Sequence, residues 1–184
     1  MFLMCNEKYK PRTSIPADNA FQGAFKGASW LRISGEEGKT LKLSATSLTS
    51  SCYESMFEGC TGLTSAPDLT VTVLSNACYK KMFKGCTGLT SAPILPAATL
   101  VANCYYEMFR DCSNLNKVTC MATSGINTDN STNNWLQSVS DTGEFIQSLS
   151  ATWPRSASGI PVGWTCRNGF IPGFPDDPFD EEDF

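Results

Sequence analysis

From Leu48 onward, apolar residues recur every four positions, Leu48, Cys52 with Tyr53, Met56 with Phe57, then Cys60, and Leu63 follows three further on. Between them stand polar or small residues, Glu54, Ser55, Glu58 and Gly59. A spacing of i, i+4 with apolar neighbours predicts one face of a short helix, about two to three turns long. Thr46 or Ser47 would cap its start, and Gly59 would end it in the left-handed conformation. The LTSAP that follows (Leu63 to Pro67) is short, opens on leucine and stops at proline, which suits a brief strand.

The whole pattern then returns. CYESMFEGCTGLTSAP (Cys52 to Pro67) comes back as CYKKMFKGCTGLTSAP (Cys78 to Pro93), and a drifting copy, CYYEMFRDCSNLNKV, starts at Cys104; the interval is 26 residues each time. A unit of that length cannot bury its own apolar face, so it must stack on its neighbours. The expected fold class is an α/β repeat, a short leucine-rich-repeat type of solenoid built from helix, turn and short strand, with caps at both ends. Such stacks make binding surfaces far more often than catalytic clefts.

Variation between copies separates inside from outside. Cysteine, tyrosine, methionine, phenylalanine and leucine recur in step, as stacked ladders require: Cys52/Cys78/Cys104, Met56/Met82/Met108, Phe57/Phe83/Phe109 and Leu63/Leu89/Leu115. Positions 54/80/106, 55/81/107 and 58/84/110 change freely and are expected on an outer helix face. There Glu54 would sit one rung from Lys80, and Glu58 one rung from Lys84. Exposed pairs of that kind contribute about 0.2–1 kcal/mol each, so their main effect would be to fix the stacking register.

Phe25, Ala28 and Leu31 repeat the spacing of Phe57, Cys60 and Leu63, but the gap from Phe25 to Phe57 is 32 residues rather than 26. GEEGKT (Gly35 to Thr40) reads as the inserted turn, and residues 19–43 as a degenerate capping half-repeat. From Ser124 the chain turns rich in Asn, Ser and Thr. It then offers an amphipathic turn around Trp135, Leu136 and Val139, a strand at Glu144 to Gln147, and Trp153 and Trp164 to cover an end. The organisation expected is an arm over 1–18, a solenoid over 19–123, a cap over 124–166 and an acidic, Phe- and Pro-rich tail over 167–184.

Charge is unevenly placed. Of 18 acidic residues, six lie within Asp176 to Asp183, which leaves 12 acids against 14 bases in the body. A near-neutral body lacks the basic face that nucleic acid binding needs, so no direct nucleic-acid contact is expected. No apolar run is long enough to span a membrane. The start MFLMCNEKYK has neither the basic region nor the apolar core of a secretory signal. Either Met1 is the native start of a cytosolically made protein, or a signal has been removed.

Nine cysteines invite a metal or disulfide reading. Zinc knuckles place cysteines two to four residues apart or use histidine. Here the intervals follow the repeat and the chain contains no histidine. Buried reduced ladders are the expectation, with no metal and no cofactor, although Cys120, Cys166 or Cys5 could pair. Without histidine, Ser–His–Asp and Cys–His arrangements cannot form within the chain. No phosphate-cradling glycine motif is present, and the acid pairs lie in solvated segments. The expectation is a protein that is not an enzyme.

The repeat CYxxMFxGCTxLTxAP, the connecting LPAATLVANC (Leu95 to Cys104) and the closing NNWLQSVSDTGEFIQ…WPRSASGIPVGWTC together resemble the BspA-type branch of the leucine-rich repeat proteins, over roughly residues 43–166. Asp68 and Thr70 depart from that pattern, and the third repeat decays after Leu115. The resemblance implies surface proteins of gut bacteria, some of them adhesins, and related proteins of their bacteriophages; it carries no catalytic residues. The function expected is a non-enzymatic binding or structural module of a phage virion, as a fibre, tail or decoration protein. The alternatives are a bacterial cell-surface adhesin without its signal, or a cytosolic protein that binds through its acidic tail. Expected partners are a protein, a cell-surface glycan or other virion proteins, with a homo-oligomer left open. Strand-face positions that change between repeats are the candidate contacts: Thr64, Asp68, Thr90, Ile94, Asn116 and Lys117, joined by Phe174, Phe179 and Phe184 of the tail.

Overall fold

The computed structural model describes residues 15, 17–33, 43 and 45–169. Most of the expected arm (all but residues 15, 17 and 18), the GEEGKT insertion and the tail phenylalanines Phe174, Phe179 and Phe184 lie outside the described residues.

The segment predicted as a helix takes a different form. No helix occurs among the described residues; residues 50–59, 76–85 and 102–111 are runs of overlapping turns. Every fourth residue has positive φ: Ser51, Ser55 and Gly59, then Ala77, Lys81 and Gly85, then Asn103, Glu107 and Asp111. Between those points, Cys52, Glu54, Met56, Glu58 and Cys60 donate their N–H to the carbonyl three residues back, at 3.0–3.4 Å. The alternate donors leave the layer. Ser51, Tyr53, Ser55, Phe57 and Gly59 bond to the carbonyls of Asn76, Cys78, Lys80, Met82 and Lys84 at 2.8–3.0 Å.

The sequence period explains the difference. An α-helix turns about 100° per residue, so a strict four-residue repeat drifts about 40° per step off any one face. A turn run with a true period of four keeps Cys52, Met56 and Cys60 in line without drift. Left-handed backbone at a non-glycine residue costs about 1–2 kcal/mol. Five hydrogen bonds to the next layer offset that cost, so a single layer is not expected to hold alone.

This geometry extends beyond the three obvious copies. Asn19, Phe21, Gly23, Phe25 and Gly27 donate in the same alternate fashion to residues 50–58. Their offset of 31 exceeds the usual 25 by the six residues attributed to the insertion. At the other end, Asn103, Tyr105, Glu107, Phe109 and Asp111 donate to Asp129, Ser131, Asn133, Trp135 and Gln137. Residues 129–138, expected to be part of a cap, therefore form a further layer, with positive φ at Asn130, Asn134 and Ser138.

Inside the layers the side chains align in columns. Phe25, Phe57, Phe83 and Phe109 stack with ring centroids 5.5–5.6 Å apart, nearly parallel. Tyr53, Tyr79 and Tyr105 form a second column that continues onto Trp135 and then Trp153. Phe57, Phe83 and Phe109 are fully buried, as are all six repeat cysteines and Leu63, Leu89 and Leu115. Gly27, Gly59 and Gly85 form a column at positive φ, in which a methyl added to Gly59 or Gly85 would meet the Cα of the preceding layer's glycine at 3.6 or 3.8 Å.

The cysteines have a specific partner. Sγ of Cys60, Cys86 and Cys112 lies 3.0–3.1 Å from the carbonyl oxygen of Phe25, Phe57 and Phe83 in the preceding layer. Each of those carbonyls already accepts a local N–H, so the thiol takes its second lone pair.

The strand flank departs from expectation. The LTSAP segments of the first two copies form no named strand; they touch neighbours only through isolated bridges such as Ser91↔Lys117 and Leu95↔Cys120. Pro67 and Pro93 lack the N–H that a ladder needs. The decayed third copy does form a strand, β1 (Lys117–Cys120), because KVTC replaces the prolines with β-branched residues. β2 (Gly143–Gln147) covers the strand predicted at 144–147, and β3 (Trp164–Asn168) completes a parallel sheet in the order β1-β2-β3. The last layer is covered by residues 153–160. There the Trp135 indole N–H donates to Gly159 O, Thr132 Oγ1 to Ser158 O, and the Asn134 N–H to Ser158 Oγ.

Candidate interaction surface

Outward-facing side chains divide into two flanks. On the turn flank the charges pair between layers: Lys26 with Glu58 at 3.0 Å and Lys80 with Glu54 at 3.0 Å, the second as the sequence predicts. Lys84 differs. Its ammonium goes to Glu107 at 2.7 Å, and Arg110 holds the other oxygen of the same carboxylate at 2.7 Å. Position 107 is expected from the sequence to be freely exposed, yet the Glu107 side chain is only 7% exposed. Desolvation pushes its carboxyl upward, but the hydrogen bonds and charges of Lys84 and Arg110 outweigh this and hold it below the usual value. Lys80 and Lys81 also lie over the Tyr106 ring, each 5.9 Å from its centroid. The lysines of this flank are thus engaged with their own neighbours.

The repeats diverge on the strand flank as well. Thr64, Thr90, Asn116 and Lys117 all face solvent. Alternation breaks between Leu115 and Val118, both buried, which leaves two successive exposed residues and keeps Lys117 out of the core. The Asn116 N–H donates to Thr90 O at 3.0 Å, so those two sit side by side on adjacent layers. Lys117 joins a small ionic group on the sheet: Glu144 lies 3.8 Å from its ammonium and is also held by Arg167. The Glu144 carboxyl is lowered from its usual value mainly by the Arg167 hydrogen bond.

Asp68 and Ile94 come together elsewhere on this flank. With Leu69, Thr70 and Pro96 they line a shallow, mostly apolar groove of about 230 Å³. Ile94 is 47% exposed, whereas the adjacent Leu95 is fully buried. Alignment by 26 residues places Cys120 in this same position, and the structure corrects that. Leu95 bridges Cys120, so the third copy has slipped by one residue after the Ser91↔Lys117 bridge. Cys120 belongs to the buried column, and Thr119 is the residue that follows Asp68 and Ile94. A reading that allows for one deletion around KVTC finds it.

A second hollow, of about 300 Å³ and more polar, lies where the last turn layer meets the segment before β3, with Val139, Asp141 and Val162 among its walls. Val162 is exposed. Nothing in the sequence pointed to this hollow beyond a valine standing alone between proline and glycine.

No group of histidine, cysteine, aspartate or glutamate able to hold a metal ion occurs among the described residues. No helix among them is long and apolar enough to cross a membrane. Comparison with family models, with curated proteins and with solved structures found no match.

Proposed function

We propose that this chain is a non-enzymatic binding or structural module, a short leucine-rich-repeat solenoid that presents its strand flank to a protein or glycan. The observation that carries this reading is a contrast within one repeat. Columns 57/83/109 and 63/89/115 do not vary and are fully buried, while position 68/94/119 varies from aspartate to isoleucine to threonine, and Asp68 and Ile94 line an open groove. The outer turn positions vary too, but their charges are engaged with neighbouring layers; variation beside an open groove, over uniform buried columns, is how repeat scaffolds change ligand without changing fold.

The resemblance to the BspA-type branch supports a setting on a particle or cell surface. The reading adopted is a bacteriophage virion component, a fibre, tail or decoration protein, with a bacterial adhesin as the second reading. Mass spectrometry of purified particles against washed host cells separates the two: the chain in particles supports the first, and the chain only in the cell envelope supports the second. Binding to particle proteins or host-surface glycans is then measured with Ile94→Ala and Asp68→Ala, beside a triple replacement of Lys80, Lys81 and Lys84 by Ala. The groove variants should weaken binding about tenfold, a loss of about 1.4 kcal/mol. If only the lysine variant weakens it, the working flank has been assigned wrongly.

A further inference from the structure

Seven cysteines are fully buried: Cys52, Cys60, Cys78, Cys86, Cys104, Cys112 and Cys120. Their number is large for a core that has leucine, valine and alanine available, and three of them make a contact that no hydrocarbon can make. Cys60, Cys86 and Cys112 each direct their sulfur at the phenylalanine carbonyl of the layer before, at 3.0, 3.1 and 3.0 Å. The same bond recurs at three successive interfaces, so it belongs to the repeat and not to one accident of packing. A thiol makes this contact as a donor, which requires that its proton be present.

We propose that the stack is redox-gated: the chain forms its layers only while these thiols are reduced and protonated, and oxidation of the opened chain locks it out of the fold. In the closed stack the sulfurs have no solvent exposure, so an oxidant cannot reach them. Once layers separate, the thiols return to ordinary acidity and a fraction ionises. With a low-molecular-weight disulfide such as oxidised glutathione as the oxidant, one cysteine thiolate attacks a glutathione sulfur. The S–S bond of glutathione breaks, one glutathione thiolate leaves, and a mixed disulfide forms on the protein. A second cysteine thiolate then attacks the protein-bound sulfur and expels the second glutathione thiolate. Two protein thiols have lost two electrons, and one disulfide has become two thiolates that take up the released protons. Either product removes S–H donors from the column, and a glutathione adduct has no room in a site with no exposed surface.

The full-length chain tests this. It is unfolded in denaturant and diluted into buffer containing either reduced or oxidised glutathione, with tryptophan fluorescence following the packing of Trp135 against Trp153. Refolded yield should fall at least tenfold in the oxidised arm, while folded protein held in the same oxidant keeps its repeat cysteines unmodified by mass spectrometry. Equal yields in both arms, or repeat cysteines modified in the folded protein as fast as in the unfolded one, would overturn the proposal. Two variants test the donor itself. Cys86→Ser keeps a donor and should retain a higher unfolding midpoint than Cys86→Ala; the reverse order would show that the sulfur acts only as a small apolar group, and the gate would lose its structural basis.

Discussion

The turn flank and the strand flank are made by the same repeats, yet they solve the stacking problem in opposite ways. On the turn flank each layer sends alternate N–H groups to the next, five at a time, and the pattern holds from residue 19 to residue 137. On the strand flank of the first two copies proline interrupts the ladder, the bridges are single, and one residue has been lost between Ser91↔Lys117 and Leu95↔Cys120; a continuous ladder begins only at β1. Register is therefore kept by the turns. Once they hold it, the strands are free to vary and even to slip without disordering the stack. Faces that tolerate such change are where a binding surface can diversify.

The largest effect expected from disturbing the buried columns that both flanks share comes from alkali. Burial pushes Cys104 up to about 11 and Cys112 and Cys120 up to about 12, from an ordinary 9.0. Burial likewise raises Tyr53 to about 12. Because the folded pKa values lie above the unfolded ones, the folded state binds more protons over this range. The stabilisation is complete below pH 9 and is lost as pH rises through the folded values. Cys104 alone should lose on the order of 2 kcal/mol by pH 11, and several such groups act together. Unfolding midpoints measured from pH 8 to 11 should fall steadily; a flat profile would show that the thiols are not held protonated by the stack.

Next in size is the middle phenylalanine. Phe83→Ala should cost about 3–5 kcal/mol in chemical denaturation, and more than Phe25→Ala at the half-buried first layer. Equal losses at both positions would mean that the column does not transmit packing from layer to layer. Smaller again is Glu107→Gln, which leaves Lys84 and Arg110 without their shared carboxylate and should cost about 1–3 kcal/mol at neutral pH. Its carboxyl is held below the ordinary 4.5, so its contribution is present above that value and fades as pH falls through the folded one. Acid titration of the variant should accordingly be shallower than that of the parent chain. On the other flank, Ile94→Ala should change stability by no more than about 0.5 kcal/mol, as for a surface position. A loss comparable to Phe83→Ala would make Ile94 a core residue and erase the contrast.

Much of the interior is legible from the 26-residue period alone. Phe57, Phe83 and Phe109 lie where ladders demand, and so do Met56, Met82 and Met108. The backbone that carries them is not. A four-residue spacing passes easily for one of 3.6, and nothing in the propensities of Ser55, Lys81 or Glu107 announces positive φ, because that conformation is imposed by the hydrogen bonds of neighbouring layers. The strand flank misleads for a local reason: KVTC resembles decay of LTSAP, when removing the prolines is what lets β1 form. Of the candidate contacts, Asp68 and Ile94 do share a groove, whereas Lys117 is tied to Glu144. Cys120 falls at the position of Ile94 by simple counting because a fixed period hides a single deletion.

The one-way alternation of donors has a consequence for the length of the molecule. Every internal layer presents the same row of carbonyls on one side and the same row of N–H groups on the other, so the joints are interchangeable. Removing residues 52–77 would bring the donors of residues 19–27 against the carbonyls of Cys78, Lys80, Met82 and Lys84, which now serve the first copy, with both ends untouched. Doubling the same stretch would add a storey in the same manner. Reach, measured in whole storeys, can thus be altered by duplication or deletion within the coding sequence in steps of 26 codons. The near identity of Cys52–Pro67 and Cys78–Pro93 is what a recent step of that kind would leave behind.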